Sequence, residues 1–349
     1  MSLKHHVFSA VLTALWATGA HKALAPAAQG RGVILMLHRV RPAEAAAFAP
    51  NALLEVTPGF LEEAILAVRA AGLDIVTLDE ALARLSDEAA PPFAVFTFDD
   101  GYRDTLDVAL PVMRRHAAPL TVYATPGFAD RTASLWWVEL ERALQALTRI
   151  EIDLPAGPVR LDCASPAAKK KAFDTIYWSL RPGPEEGLRT AVSTLARAAG
   201  TDSAAVADEL CLDWPGLAAL ASDPLVTIGA HTMSHPMLAK HPAAVAEAEM
   251  AFSREMLARH LGLTPRHFAY PVGDPGSAGV REFEAARRLG FASAVTTRPG
   301  MVFSDHAAHL TALPRLSLNG LFQRRRDLDV LLSGVPFLLW NRGRRLKVA

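Results

Sequence analysis

The sequence predicts an α/β fold in which parallel strands alternate with helices and close, or nearly close, into a barrel. Short apolar runs recur between stretches of helical periodicity from residue 33 to residue 318. Strands that are apolar on both faces and separated by helices are typical of parallel pairing. Seven or so such units fit a barrel better than an open sheet, and a doubly wound α/β sheet is the alternative. No glycine-rich phosphate loop follows the first strand, which argues against a dinucleotide-binding fold.

The composition supports a chain that buries a sizeable core. The 349 residues are 51% apolar and 21% charged, which excludes disordered and fibrous proteins. Lys+Arg and Asp+Glu each number 36, so no net charge attracts nucleic acid, and no nucleic-acid partner is predicted. The two cysteines, Cys163 and Cys211, do not make a disulfide framework.

Apolar runs and turn signals give the order of the elements. We expect strands at 33–38, 74–78, 93–100, 120–126, 226–232, 267–273, 291–297 and 313–318. Thr57 and Pro58 open a helix that Gly72 ends, and Asp79 is predicted to cap a short helix. Further helices are predicted over 103–116, 242–261 and 278–289.

The barrel domain is expected to span residues 31–320, with an insertion at about 127–222. The insertion is predicted to be helical and to lie on the carboxyl-terminal face of the barrel. Residues 1–30 form an apolar helix or a signal-like segment: the apolar run 7–20 and the small residues of Ala23-Leu24-Ala25 suit a signal peptide. The helical spacing of its bulky residues favours an uncleaved helix, and the run is short for a membrane span.

The tail, residues 321–349, joins an apolar segment to Arg342, Arg344, Arg345 and Lys347. A docked helix with a solvated basic end is favoured over contact with a membrane surface, which is the alternative. A location in the cytoplasm or at the membrane periphery is slightly favoured over export, and peripheral contact with a membrane through the termini is left open.

Two polar motifs follow predicted strands, where active sites of barrels lie. Asp99 and Asp100 close the strand at 93–100, and His231 and His235 follow the strand at 226–232. Alone, the aspartates suit a helix cap and the histidines suit surface positions. Together they provide one carboxylate and two imidazoles for a divalent ion, with a second carboxylate left as a base. A third feature, Arg266, is predicted to hold that spare carboxylate or else to be a surface charge.

These motifs resemble a known family. TFDDGYRD, the HTMSHP stretch and RHFAYPVG are similar, in order and in their position on strands, to three motifs of the polysaccharide deacetylases of carbohydrate esterase family 4. The family includes nodulation-type chitooligosaccharide, peptidoglycan and chitin deacetylases. The opening LMLHRV is also similar to such proteins. The resemblance implies a distorted (β/α)7 barrel.

The resemblance implies a role for each site residue. Asp99 becomes the general base, and Arg266 orients it. The strand end near Tyr270 supplies a backbone N–H to the oxyanion. The metal ligands implied are Asp100, His231 and His235. The ion implied is Zn²⁺, with Co²⁺ or Ni²⁺ as alternatives.

One departure from the family pattern concerns the acid that protonates the leaving amine. The family places a Leu-x-His on a late strand, where this chain has Leu313-Pro314-Arg315. Because arginine is a poor proton donor near neutrality, His38 at the end of the first strand is the best substitute. His306 and His309 lie in a predicted loop and rank lower. Trp214 is a candidate for the lining of a sugar groove, although core packing is favoured for it.

The leading hypothesis is therefore a metal-dependent hydrolase that removes N-acetyl groups from N-acetylglucosamine-containing oligo- or polysaccharides and releases acetate. Its expected partner is an acetylated oligo- or polysaccharide. A catalytically weakened carbohydrate-binding protein on the same fold is one alternative, which the missing acid histidine motivates. A metal-dependent amidase of a non-sugar substrate is another.

Overall fold

The computed structural model describes residues 3–346 and 348, with twelve strands among them. In chain order the strands are β1 (Gly32–Leu37), β2 (Arg39–Val40), β3 (Glu55–Val56), β4 (Asp74–Ile75), β5 (Phe93–Phe98), β6 (Leu120–Ala124), β7 (Arg149–Leu154), β8 (Gly157–Asp162), β9 (Val226–Ala230), β10 (His267–Ala269), β11 (Ser293–Pro299) and β12 (Leu313–Ser317).

Seven of these strands close into a parallel barrel. Their order around the ring is β1, β5, β6, β9, β10, β11 and β12, and β12 pairs with β1 again. β1 and β5 are in register along their whole length, from Gly32 opposite Phe93 to Leu37 opposite Phe98. β1, β5 and β6 are buried at every position. The predicted (β/α)7 barrel is confirmed, and the doubly wound alternative is wrong.

The predicted strand at 74–78 forms only in part. β4 is two residues long and pairs with the start of β5, where Asp74 lies opposite Phe93. Further along β5, Phe96 begins the pairing with β6. β4 therefore lies outside the closed ring and covers the amino end of the gap between β5 and β6.

Within the described part of the chain, fifteen α-helices surround or extend the barrel. They are α1 (Leu3–Ala17), α2 (Ala20–Ala28), α3 (Pro58–Ala70), α4 (Leu78–Leu85), α5 (Leu110–Arg115), α6 (Pro126–Ala129), α7 (Trp136–Ala146), α8 (Pro166–Leu180), α9 (Glu185–Ala198), α10 (Ser203–Leu210), α11 (Trp214–Ala221), α12 (Ala243–Leu261), α13 (Val280–Arg288), α14 (Arg325–Leu332) and α15 (Val335–Trp340).

The helix starts show which local signals decide. Thr57 caps α3, and its side chain accepts a hydrogen bond from the Phe60 N–H, as predicted. Asp79 is not the cap of α4, because Thr77 accepts from the Glu80 N–H and Asp79 falls in the first turn. In the first turn, the negative charge of Asp79 interacts favourably with the helix dipole. It does not accept the capping hydrogen bond from a backbone N–H group.

The insertion lies on the carboxyl-terminal face as expected, but it is not all helical. It contains α6 to α11 and an antiparallel hairpin, in which β7 and β8 pair from Arg149–Asp162 to Leu154–Gly157. The side chains of β7 alternate between exposed and buried, a two-residue period that the sequence carries and that indicates a strand. Cys163 and Cys211 both remain free and buried.

Both termini pack on the barrel. α1 lies against α14 through Leu12, which is buried, and α2 lies against α15. No helix among the described residues is long and apolar enough to cross a bilayer. Lys347 of the predicted basic tail lies outside the described residues.

A buried histidine in the loop before β12 makes the stability of the fold pH-dependent. Burial lowers the pKa of His306 from 6.5 to about 4, and the Phe303 N–H donates to its Nδ1 over 3.0 Å. Between these pKa values the unfolded chain binds a proton that the folded chain does not. Stability is therefore expected to fall by up to about 3 kcal/mol as the pH drops from 6.5 towards 4. Urea denaturation at pH 7 and pH 5 measures this, and His306→Gln should reduce the difference.

Candidate metal centre and active site

The two aspartates leave β5 through a turn of left-handed backbone. Asp99 still pairs with the barrel, since its N–H donates to the Leu37 carbonyl over 2.9 Å. Asp100 and Gly101 then adopt φ angles of 72° and 67°. A non-glycine residue in this region costs energy and persists where the surroundings enforce it. The turn separates the two carboxylates, so that each meets different partners, as predicted.

Asp100 meets the two predicted histidines. Its Oδ1 lies 3.4 Å from Nε2 of His231 and 3.3 Å from Nε2 of His235. All three side chains are buried, and their ligand atoms lie within 4.8 Å of one another. The convergence of the two strand ends on one cluster, as the sequence predicts, is confirmed.

The loop that carries the histidines is held by its own side chains. Thr232 and His235 have φ angles of 63° and 58°, and the Thr232 hydroxyl accepts from the His235 N–H over 3.0 Å. Ser234 donates from its N–H and its hydroxyl to Glu249 over 2.9 and 2.8 Å. Arg189, on α9 of the insertion, donates to the His235 carbonyl over 2.7 Å. The ring positions are thereby fixed.

The cluster fits a divalent cation. Nδ1 of His231 lies 2.7 Å from the Ala269 carbonyl, which only accepts, so Nδ1 carries the proton and Nε2 presents a lone pair to Asp100. Oδ1 of Asp100 is buried without a hydrogen-bond partner among the described residues. Burial lowers the pKa of His235 in spite of Asp100, which favours the neutral, ligating form. Lone pairs that face one another in a buried site are stabilised by a cation.

The second aspartate forms a buried, two-pronged ion pair with Arg315. Nη1 and Nη2 of Arg315 each donate to one oxygen of Asp99 over 2.7 Å. The Arg315 Nε donates to the Thr296 carbonyl over 2.8 Å, and Nη1 also reaches the Thr97 hydroxyl. Burial raises the pKa of Asp99, but Arg315 outweighs it and holds the pKa below its ordinary value. Asp99 is therefore an ionised, oriented carboxylate.

The prediction that Arg266 orients Asp99 is wrong. Arg266 is largely exposed and pairs with Asp79 over 2.9 Å. It precedes β10 and so lies at the amino end of the barrel, whereas Asp99 follows β5 at the carboxyl end. Arg315, on the late strand where the family pattern has a histidine, contacts Asp99 instead.

His38 lies where the candidate acid is needed. It follows β1, and its Nε2 is 4.0 Å from Oδ2 of Asp99. The next residue, Arg39, donates to Asp104 over 2.8 Å, and the Val40 N–H donates to the same carboxylate. This ion pair joins the loop after β1 to the loop after β5 and fixes their spacing. Asp104 belongs to the TFDDGYRD stretch, but the sequence alone gave no reason to pair it with Arg39.

The two other candidate acids lie elsewhere. His306 is buried against Phe303, and His309 directly follows the short helical segment Ser304–Ala308. Neither is among the residues that line the cavity beside Asp99 and Asp100. The ranking of His38 above both agrees with this placement.

Two residues that were candidates for contact with the substrate, Tyr270 and Trp214, do not line the cavity beside Asp99 and Asp100. Tyr270 is fully buried, its hydroxyl donates to the Thr311 carbonyl over 2.8 Å, and its N–H is used in the barrel by the Val295 carbonyl. It therefore offers no free N–H to an oxyanion. Trp214 stacks on His260 at 3.8 Å and donates to Asp130, away from the cavity wall. The turn after β10 faces the cavity through Val272, which has a φ angle of 61°.

The metal cluster and Asp99 lie at the bottom of a cavity of about 440 Å³, within the range of small-ligand sites. One wall is aromatic and comes from α7 and α8 of the insertion. Its residues are Trp136, Trp137, Phe173, Tyr177 and Trp178. The sequence motifs did not predict this aromatic wall. Its residues are nevertheless visible in the sequence as paired aromatics, WW in SLWWVELERAL and YW in KKKAFDTIYW.

A family comparison supports the geometry. The polysaccharide deacetylase family model matches residues 172–294. The matched segment includes His231 and His235, and the two aspartates precede it. Over that segment the chain is similar to the polysaccharide deacetylase family. The resemblance given by the motifs is confirmed, and so is the enzyme class, a deacetylase hydrolase.

Solved structures match the barrel in fold. The Streptococcus pyogenes deacetylase PplD is 18% identical, with a TM-score of 0.53, over 82% of this chain and 92% of that one. IcaB from Ammonifex degensii is 17% identical, with a TM-score of 0.52, over 86% and 97%. BC0361, a polysaccharide deacetylase from Bacillus cereus, is 14% identical, with a TM-score of 0.53, over 86% and 68%. No curated protein matches the chain by sequence.

Proposed function

We propose that this protein is a metal-dependent deacetylase of N-acetylglucosamine-containing oligo- or polysaccharides. The observation that supports it most is the buried Asp100–His231–His235 cluster beside an ionised Asp99, at the bottom of a cavity with an aromatic wall. Hydrolysis of an acetamide needs a polarised carbonyl, an activated water and a proton for the leaving nitrogen. Each requirement has a candidate group in this cavity.

The cation would be held by Asp100, His231 and His235. This set of ligands favours Zn²⁺, and Co²⁺ or Ni²⁺ can also bind to it. When bound, such an ion supplies Lewis acidity to the acetamide oxygen and to water.

Asp99 is the proposed general base. It is ionised because Arg315 holds it, and it accepts the proton of the water that attacks the acetyl carbon. Because both of its oxygens are paired with Arg315, its orientation is fixed before the substrate binds. The carbon–nitrogen bond then breaks, which leaves acetate and a free amine on the sugar.

His38 is the proposed general acid, and its replacement tests the role. His38→Gln is expected to lower kcat by about 10²–10⁴-fold, the usual contribution of general acid–base catalysis, while the metal stays bound. His309→Gln, which lies outside the cavity, serves as the control and should retain activity. Metal content and acetate release measure the two effects, and equal rates for both variants would contradict the assignment.

The aromatic wall supports a sugar substrate. Trp178 is 65% exposed and lines the cavity together with Tyr177, and an exposed aromatic side chain offers apolar surface suited to a pyranose ring. Lys170 and Asp174, on the same helix α8, add polar groups at the cavity wall. Asn51, which also lines the cavity, is fixed to α7 by hydrogen bonds to Glu141 and to the Trp137 carbonyl.

The experiment that tests the function is a substrate panel assayed for acetate with the purified, metal-analysed protein. Acetate release from N-acetylglucosamine oligomers in the presence of zinc or cobalt is expected. Asp99→Asn should abolish it while leaving the metal bound. Binding of the oligomers without release would favour the weakened carbohydrate-binding protein. Turnover of small amides alone would favour an amidase of another substrate class.

A further inference from the structure

The first observation concerns the outer face of α1. Residues 7–20 contain no Lys, Arg, Asp or Glu, yet α1 lies on the surface. Its inner face packs on the barrel domain through Leu12, which is 1% exposed, whereas Val7 and Trp16 are 56% and 47% exposed. A surface helix in water normally carries charged residues on its outer face. The outer face of α1 therefore suits an apolar surrounding.

The second observation is that α15 extends the same apolar surface. Leu339 and Trp340 are 59% and 54% exposed. The Phe8 ring of α1 lies 5.8 Å from the Trp340 ring and 5.4 Å from the Phe322 ring. An apolar groove of about 290 Å³ lies between them and is also lined by Phe337. The two ends of the chain thus form one continuous apolar surface, which we call the terminal face.

The third observation is the charge beside this face. No aspartate or glutamate occurs before Glu44 or after Asp329, although the whole chain is neutral. The exposed residues Lys22, Arg342 and Arg344 therefore lie in acid-free segments. Exposed apolar residues with basic neighbours are typical of helices that lie in the interface of an anionic bilayer. Exposed tryptophans also favour that interface.

We propose that the terminal face, together with the basic segment after α15, docks on an anionic lipid surface. No described helix spans a membrane, so the contact is peripheral. A second copy of the chain is a poorer occupant, because a two-fold contact would bring like charges together. The proposal stands on the terminal face alone and does not depend on the proposed function.

The terminal face adjoins the catalytic cavity. Ser317, the last residue of β12, lines both the catalytic cavity and the apolar groove. A docked protein would therefore hold its catalytic cavity close to the lipid surface.

Co-sedimentation of the full chain with lipid vesicles tests the proposal. Binding is expected to vesicles of phosphatidylglycerol and phosphatidylcholine, to weaken with added salt, and to be much weaker to phosphatidylcholine alone. The double variant Arg342→Gln/Arg344→Gln should reduce partitioning by about thirtyfold. The double variant Arg160→Gln/Arg259→Gln removes the same charge from exposed sites elsewhere and should bind like the wild type.

A second pair of variants tests the apolar part. Trp340→Ser should weaken binding about tenfold or more, whereas Phe252→Ser, at an exposed position on α12, should not. Thermal melting checks that each variant is folded. Equal binding to neutral and anionic vesicles, or no binding to either, would overturn the proposal. So would a concentration-dependent dimer that Trp340→Ser dissociates, since the terminal face would then be an interface between copies.

Discussion

Replacing Arg315 with methionine is expected to abolish acetate release and to destabilise the protein by about 3–5 kcal/mol. The arginine and Asp99 form a buried pair with two hydrogen bonds. Removal of one partner leaves an uncompensated buried charge, which is among the most destabilising changes known. The pKa of Asp99 would then rise, because burial favours its neutral form, and a protonated Asp99 cannot act as a base. Urea denaturation and acetate assays measure the two losses.

Two controls separate the ion pair from general damage. Arg266→Met changes the arginine that the motifs pointed to, and its stability and activity should stay close to those of the wild type because the side chain is exposed. The double variant Asp99→Asn/Arg315→Met should recover part of the stability lost in Arg315→Met while remaining inactive. If Arg266→Met were instead the inactive variant, the assignment of Arg315 would be wrong.

Replacing either histidine of the metal cluster is expected to remove stoichiometric metal binding. The wild type should bind about one divalent ion per chain, and excess ion should raise its melting temperature because only the folded chain forms the site. His231→Gln or His235→Gln removes a direct ligand. We expect a loss of affinity beyond the 10–100-fold that follows loss of an outer partner of a ligand, and no acetate release.

A matched comparison makes the metal test specific. Removal of the ion by a chelator should lower the melting temperature of the wild type but not that of His231→Gln. His309→Gln, a histidine outside the cavity, should respond to metal and chelator as the wild type does. Full metal occupancy in both cluster variants would show that Asp100, His231 and His235 do not form the site.

The part of the site that the sequence predicted depends on parallel strands. Asp99, Asp100 and His231 directly follow apolar runs, and the carboxyl ends of parallel strands meet at one end of a barrel. The same argument excludes Arg266, because it precedes its strand and therefore lies at the other end. The motif resemblance assigned Arg266 to Asp99, and the direction of the strand argues against that assignment.

Arg315 was considered only as the residue that replaces the family histidine, although its own position indicates a partner. It is a charged residue inside the apolar strand LPRLS, and a buried arginine needs a buried carboxylate. Asp99 was the strand-end carboxylate that the predicted metal site did not use. The identity of the partner still required the ring closure, since β12 and β5 are both neighbours of β1 and not of each other. The Arg39–Asp104 pair likewise depends on loop geometry.

The β7–β8 hairpin was missed for a different reason. Within the insertion, the segments on either side of residues 149–162 have helical periodicity. The prediction of a helical insertion extends that periodicity across residues 149–162. The alternation of isoleucine and charged residues in RIEIDL contradicts a helix locally. The tight turn to Gly157, which has a φ angle of 112°, also suits a hairpin.

The position of Arg315 has a consequence for how the protein matures. The counter-charge of Asp99 is supplied 216 residues further along the chain, so the base is not held in its ionised state until the last barrel strand has been made and has docked. The matched segment 172–294 lacks both ends of this pair and Asp100, one of the three proposed metal ligands. Neither that segment nor any fragment that ends before residue 313 should be capable of catalysis, and activity should therefore appear only with completion of the ring.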